Sequence, residues 1–567
     1  MDNVTFTPPA ITDLKDMLTK TVRNYGGKTA YQIKDGKGNL ISYTYNMVYD
    51  AVNGLGASLL NMGLGGKKIA IIGENRIEWE IAYLAVVCGV GIVVPVDKTL
   101  PENELKSVIN RSGVEAIIYT DKYNEPLTRI KFSSHNNLRH LISMDLESHS
   151  GGVYSLKELI EYGKHLLQAG FDDYLNVKVD PYKMNIMLFT SGTTSQSKVV
   201  ALSQNNICTN ILDIDKTLDI SSNDVFLSFL PLNHVFECTV GFLFPIYKGA
   251  KIVFADSPRK IVKNLHDYKV TFLACVPAMY EMIFGHVKKN LEKVNMNDKI
   301  VELKHQHKND TMEQKKEVFQ YIHSMLGGNI RYFISGAAQL DPEIERHFRE
   351  LGLNIMQAYG LTETAPIVSL SSNENYRLGS VGKAVPSVEA RISEPDENGI
   401  GELVVRAPSV MMGYYDNPEA TAEVLKNGWF YTGDLARVDD DGFIFICGRK
   451  KSVIVLKNGK NIFPEEMENI INKIEGVKES MIYGKQYGQD KNDLRIFVKI
   501  VYDPEAMERV YHLKNENDIK NALFEQIKMV NKTLPKYKSI RGLVVSKEPL
   551  IKTATNKLKR QEEMKRL

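Results

Sequence analysis

Residues 187–201, MLFTSGTTSQSKVVA, hold a run of potential anion ligands: Thr190, Ser191, Gly192, Thr193, Thr194 and Ser195, followed at a short interval by Lys198. Hydroxyls and loop N–H groups donate together to phosphate oxygens, and a lysine adds a point charge. Apolar, β-prone residues on both sides predict a strand that delivers this loop. A Walker-type loop, G-x-x-x-x-G-K-[ST], is excluded. Gly192 and Lys198 keep its spacing, but Ser197 stands where the second glycine belongs and Val199 where the magnesium-binding hydroxyl belongs.

The stretch resembles the SGTTG-x-PKG loop of the adenylate-forming superfamily, the acyl-CoA synthetases, luciferases and stand-alone adenylation domains, with departures at Ser195, Ser197 and Val199. Three further motifs follow in that superfamily's order. YGLTET, residues 359–364, matches the YG-x-TE motif without departure. Tyr359 offers a stacking face, Gly360 follows it, Thr362 offers a hydroxyl for the α-phosphate, and Glu363 a hard oxygen suited to Mg²⁺. Upstream, RYFISGAAQL ends in Gly336, Ala337 and Ala338, small residues that form a slot for a planar base such as adenine. In TGD and GR-x-K, Asp434 is suited to accept ribose hydroxyls and Arg449 to donate to the same sugar, while Lys451 matches the superfamily's hinge. Near the end, PLIKTATNKLKR resembles P-K-T-x-x-G-K-[IL]-x-R, with Lys557 at the catalytic lysine, Asn556 in place of Gly and Ile551 in place of Pro. The resemblance implies catalytic roles for Lys557, Glu363, Thr190 and Lys198, with Glu363 and Thr190 toward the metal. His234 has two readings, a satisfied turn histidine in an apolar run or a residue between nucleotide and acyl pocket.

Composition narrows the alternatives. The 567 residues are 25% charged and 43% hydrophobic, enough for several cores. Lys+Arg number 71 against 69 Asp+Glu, a net +2, so no global field favours nucleic acid as partner. The five cysteines are scattered and form no metal-binding cluster, which fits a reducing compartment. The opening MDNVTFTPPAITDLKDML has none of the pattern of a secretory leader, and the apolar run 81–96 is too short to span a bilayer. The expected location is the cytoplasm. A Lys-rich segment over 287–316 reads as a solvated helical insertion, with peripheral contact to anionic headgroups as its second reading.

The elements that must position these residues alternate. A helix over 12–25, a hairpin over 31–45, a helix over 45–62, and then strands and helices in turn from 68 to 144 predict an α/β layered domain with mostly parallel strands. Gly54, Gly56, Gly63, Gly65 and Gly66 lie within or end a helix, so they read as packing and cap residues rather than a dinucleotide fingerprint. A helix over 203–218 is expected to bring its N-terminus near the hydroxyl loop. The predicted organisation is a large domain of acyl-CoA synthetase/luciferase type, residues 1–447, and a small, mobile C-terminal α/β domain, residues 448–567, that carries Lys557.

The resemblance implies ATP- and Mg²⁺-dependent activation of a carboxylic acid through an acyl-adenylate, followed by transfer to coenzyme A. Within the family, VPAMYEMI (residues 276–283) and the insertion resemble the branch acting on long-chain fatty acids. Two alternatives stand beside this. One is an enzyme that passes the acyl group to acyl carrier protein or stops at the adenylate. The other is a nucleotide-binding homologue without turnover, motivated by the departures at Ser195, Ser197, Val199 and Asn556.

Overall fold

The computed structural model describes residues 10–133, 136–190, 198–456, 460–486, 494–552 and 558–567. Ser191, Gly192, Thr193, Thr194, Ser195 and Lys557 lie outside them. The described chain forms two compact units. One comprises residues 10–190, 198–389 and 406–430; the other comprises residues 390–405 and the described residues from 431 onward.

The first unit contains two large sheets. In the eight-stranded sheet the order is Gly413–Tyr414, Val199–Ser203, Met184–Phe189, Ile92–Pro95, Lys68–Ile72, Ala116–Tyr119, His140–Ser143 and Tyr154–Ser155. Its middle strands run parallel. Their side chains are buried on both faces, Ile71, Ile72, Ile117 and Tyr119 at 0% exposure, which is why they read as unbroken apolar runs rather than alternating ones. The nine-stranded sheet has parallel Val225–Ser228, Phe272–Cys275, Tyr332–Ser335 and Ile355–Gly360 at its centre, with the hairpin Thr29–Lys34 and Leu40–Thr44 at one edge. Helix Tyr45–Asn61 lies against Leu156–Gln168 so closely that a Cβ on Gly163 would stand 1.7 Å from the Gly54 carbonyl oxygen. The Gly54 region is therefore a helix-packing site, as its spacing indicates.

Strand Val199–Ser203 turns back antiparallel to Met184–Phe189, and helix Gln204–Thr217 begins only after it, capped by the Ser203 side chain. The helix therefore begins only after this five-residue strand, and the loop residues 191–197, near which its N-terminus is expected, lie outside the described residues.

In the second unit, strands around Gly401–Arg406, Trp429–Val438 and Ile444–Arg449 form one sheet. Val477–Gln486, Leu494–Tyr502 and Ile540–Ser546 form another, the last pairing parallel to Leu494–Tyr502. Helices Pro464–Ile471 and Glu516–Thr533 close a core that includes Ile482, Val498, Ile500, Leu523 and Ile527. The ends of the lysine motif are anchored here. Arg560 pairs with Glu468 and Glu465, Lys499 with buried Glu563, and the Ile551 N–H donates to Glu563. All five cysteines are free thiols, four of them buried. Among the described residues no helix is long and apolar enough to cross a membrane.

Glu80 and Glu237 are among the carboxyl groups buried in the first unit. Glu80 is fully buried and accepts the Tyr31 hydroxyl at 2.5 Å; burial raises its pKa well above the carboxylate range, the Tyr31 hydrogen bond opposes the shift, and nearby Glu237 adds to it. Burial pushes Glu237 up to about 8, against hydrogen bonds from Ser228, Phe229 and Leu230. The native Glu237 thus keeps a proton that the unfolded chain releases above about 4.5, so its contribution to stability falls as pH rises from there to about 8 and is level beyond. The melting temperature of the wild type, relative to Glu237→Gln, is expected to drop steadily between pH 5 and 8 in calorimetry. A difference that does not change with pH would contradict this assignment.

Candidate active site

The site of the first unit is built on the edge of the eight-stranded sheet. Strand Met184–Phe189 leads to Thr190, whose N–H and hydroxyl both donate to the Lys198 carbonyl, at 2.9 and 3.1 Å. This closes the neck of the hydroxyl loop and makes Lys198 the first residue of the returning arm. Gly413–Tyr414 pairs antiparallel with Val200 and Ala201, and the Tyr415 N–H adds a 2.7 Å bond to the Val199 carbonyl. That register places the Tyr414 ring under the Lys198 ammonium, 4.3 Å from nitrogen to ring centroid. The Tyr414 hydroxyl in turn donates to Glu363 Oε1 at 2.9 Å, and the Met411 N–H donates to the Glu363 carbonyl at 2.8 Å. Lys198, Tyr414 and Glu363 therefore form one connected group, with the aromatic residue between cation and carboxylate.

Glu363 and Thr362 occupy a single 3₁₀ turn, Thr362–Thr364, after strand Ile355–Gly360. Tyr359 pairs with Ser369 and Gly360 with Ile367 in the neighbouring antiparallel strand, which fixes both residues at the carboxyl end of an internal strand. The small-residue turn follows Tyr332–Ser335, the adjacent strand of the same sheet. Gly336 is buried, and a Cβ there would meet the Phe236 ring at 2.8 Å, so a protein side chain already lies against that face. Ala337 is half-buried and Ala338 exposed. Ala337 has φ 67° and Ala365, beside Glu363, has φ 63°. Left-handed backbone costs an alanine roughly 1–2 kcal/mol, and such strain concentrates where a turn must present groups to a ligand. His234 is half-buried; its Nδ1 accepts the Phe236 N–H at 3.3 Å, which places the proton of the neutral ring on Nε2.

The second unit holds the other expected pair. Asp434 and Arg449 face each other across a hairpin, Nε to Oδ1 at 2.7 Å, with the Asp434 side chain 4% and the Arg449 side chain 49% exposed. The Thr432 hydroxyl holds the Leu403 carbonyl at 2.7 Å and accepts the Asp434 N–H at 3.1 Å, and the Gly433 N–H reaches Glu402 at 3.0 Å. Between these strands, 439–442 forms the expected turn. Lys451 is exposed in the one-turn helix Lys450–Ser452.

Tyr414 is the residue that sequence reasoning missed. It lies in a Gly-Tyr-Tyr turn, and the signal that points to it is an aromatic at the edge position opposite the returning arm of an anion loop.

The described residues thus set the neck of the hydroxyl loop at the edge of one large sheet, and the small-residue turn and the Thr-Glu turn at strand ends of the other. The solved structures agree in fold: the anthranilate CoA ligase AuaEII, in complex with anthranoyl-AMP, superposes with a TM-score of 0.77 at 19% identity, covering 98% of each chain. The AMP-binding enzyme model matches residues 18–415 and the AMP-binding enzyme C-terminal domain model residues 451–567. The chain belongs to the AMP-binding enzyme family, as an adenylate-forming acid–CoA ligase. It is 27% identical to the long-chain-fatty-acid–CoA ligase of Escherichia coli O6:H1, over 88% of each chain. It is 30% identical to long chain acyl-CoA synthetase 3 of Arabidopsis thaliana, over 80% of this chain and 73% of that one.

The Lys198–Tyr414–Glu363 group predicts graded losses. Tyr414→Phe removes a hydrogen bond to a charged group and keeps the ring under Lys198, so ATP affinity by calorimetric titration falls about tenfold. Tyr414→Ala also removes the cation–π contact and falls roughly threefold further. Wild-type affinity in both variants would refute the arrangement.

Proposed function

We propose that this protein activates a long-chain fatty acid with ATP to give an acyl-adenylate and pyrophosphate, then transfers the acyl group to coenzyme A, releasing AMP. The observation that carries this reading is the Lys198–Tyr414–Glu363 group at the neck of the hydroxyl loop, in a chain of the AMP-binding family. The long-chain assignment draws on the curated relatives, named for long-chain acids, at 27–30% identity. It also draws on the helical segment Pro277–Lys293, Asn297–Gln306 and Met312–Val318.

The reading gives each residue a task. Bringing a carboxylate to 4 Å from a phosphate charge costs about 4 kcal/mol per unit pair at an effective dielectric of 20. Lys198, together with Ser191, Gly192, Thr193, Thr194 and Ser195, takes the β- and γ-phosphates, and Lys557 the developing charge at the α-phosphate. Thr362 donates to the α-phosphate. Gly336, Ala337, Ala338, Tyr359 and Gly360 hold the adenine, and Asp434 with Arg449 the ribose. His234 faces the acid.

Among the described residues no group of three or more His, Cys, Asp or Glu stands ready as a metal cage. Mg²⁺ keeps several of its waters and binds through one or two carboxylates and substrate phosphates. Glu363, held at one oxygen by Tyr414, and the Thr190 hydroxyl are its proposed protein contacts, and bound Mg²⁺ would neutralise polyphosphate charge. The C-terminal domain, residues 448–567, turns about Lys451 between one pose for adenylation and one for thioester formation. Closure keeps water from the mixed anhydride.

AMP release is expected with ATP, Mg²⁺ and acids from acetate to oleate, rising with chain length and dependent on coenzyme A. AMP release with acyl carrier protein in place of coenzyme A would move the acceptor, and none with any acid would replace the ligase by a nucleotide-binding homologue. Lys557→Ala is expected to abolish adenylation and leave thioester formation from supplied acyl-AMP largely intact. Equal loss of both half-reactions would sink the two-pose account.

A further inference from the structure

The turn that carries His234 is held from inside the protein by two side chains to which no role has yet been assigned. Strand Val225–Ser228 is a central parallel strand of the nine-stranded sheet, and the chain leaves its carboxyl end through Phe229, Leu230, Pro231 and Leu232 to reach His234. Carboxyl ends of parallel strands are where open α/β sheets bind ligands. Asn75 donates to the Ser228 hydroxyl at 2.9 Å and to the Leu230 carbonyl at 2.6 Å, and accepts the Leu232 N–H at 3.2 Å. Glu237 takes the other side. Its Oε1 accepts the Phe229 N–H at 3.2 Å, and the Leu230 N–H and Ser228 hydroxyl reach the same carboxyl.

Glu237 is an unusual residue to spend on a turn. It is 1% exposed, and its Oε2 is buried with no hydrogen-bond partner among the described residues. It opens a π-helical segment, Glu237–Leu243, and a Cβ on Gly241 would lie 2.6 Å from its Oε1, so the helix carries glycine where the carboxyl needs room. π-Helical turns are rare and frequently mark functional sites. The same segment closes the turn from behind. The His234 N–H donates to the Pro231 carbonyl at 2.9 Å, the Cys238 N–H to the His234 carbonyl at 3.0 Å, and the Phe236 N–H to His234 Nδ1. The imidazole is thereby fixed as an Nε2–H donor, the tautomer that suits a carboxylate oxygen.

We propose that Asn75 and Glu237 are positioning residues for acid recognition: they clamp Ser228–Leu232 from two sides and so set the direction in which His234 presents its Nε2–H to the carboxylate of the substrate. This rests on the proposed function for the identity of that substrate. Glu237 acts as the neutral acid, whose carbonyl oxygen accepts the backbone amides, so glutamine is its isostere.

The test combines hydrogen exchange with steady-state kinetics on the full-length protein. In Asn75→Ala and Glu237→Ala, amides of the 228–236 peptide exchange faster than in the wild type, and Glu237→Gln restores slow exchange. In turnover, Asn75→Ala raises the KM for the fatty acid about tenfold, the scale of one lost buried hydrogen bond, and leaves the KM for ATP within about twofold. Glu237→Ala behaves alike, and Glu237→Gln recovers most of the loss. The Asn75→Ala effect vanishes in a His234→Ala background, because the two act through one group.

Fully additive effects of Asn75→Ala and His234→Ala, or equal changes in the acid and ATP parameters, would overturn the proposal. Should the wild type turn over no acid at all, the proposed function fails. The exchange measurement still decides the clamp, and unchanged exchange in Asn75→Ala overturns it.

Discussion

A tyrosine stands between the cation and the carboxylate of the site, and much of the first unit's architecture serves that separation. If Lys198 and Glu363 met directly, each would neutralise the other and neither would be open to a polyphosphate or its counter-ion. Tyr414 gives the ammonium a ring face and the carboxylate a hydroxyl donor, so each charge has a partner of its own. Holding it there takes three separate pieces of chain. The hairpin closed by Thr190 and the Lys198 carbonyl supplies one edge, Gly413–Tyr414 adds a short strand to it, and Met411 ties that strand to the Glu363 turn.

The buried acids extend the same logic inward. An ionised carboxylate in an apolar interior is costly, and both Glu80 and Glu237 respond by holding a proton, with a tyrosine hydroxyl or backbone amides as partners. Where Tyr414 keeps charge available at the surface of the site, Glu237 contributes hydrogen bonding without charge behind it. The two arrangements lie on the two sheets of one unit.

Elements whose partners lie close in sequence were legible before the structure. The hairpin Thr29–Lys34 with Leu40–Thr44, the parallel strands from Lys68 to Ser143, and the Asp434–Arg449 pair across a local turn all follow from alternating or unbroken apolar runs and from Gly-containing turns. What stayed hidden depends on pairings over long separations. Tyr414 meets Glu363 across 51 residues, and Asn75 meets Ser228 across 153. Strand Val199–Ser203 and the helix after it lie close in sequence too, and the helix runs Gln204–Thr217 where its spacing predicts one over 203–218. Glu80 shares its helix start with Glu78, and Glu237 stands as a single acid in an apolar run, both patterns equally typical of exposed helix positions.

The central claim is that the site joins an acid to AMP, and acid-dependent exchange of labelled pyrophosphate into ATP tests it most directly, because it reads the first half-reaction alone. With Mg²⁺, ATP and a long-chain fatty acid, and with coenzyme A left out, label is expected to enter ATP, and to stop entering when the acid is withheld. Label that never enters ATP with any acid, or enters equally without acid, would contradict the account.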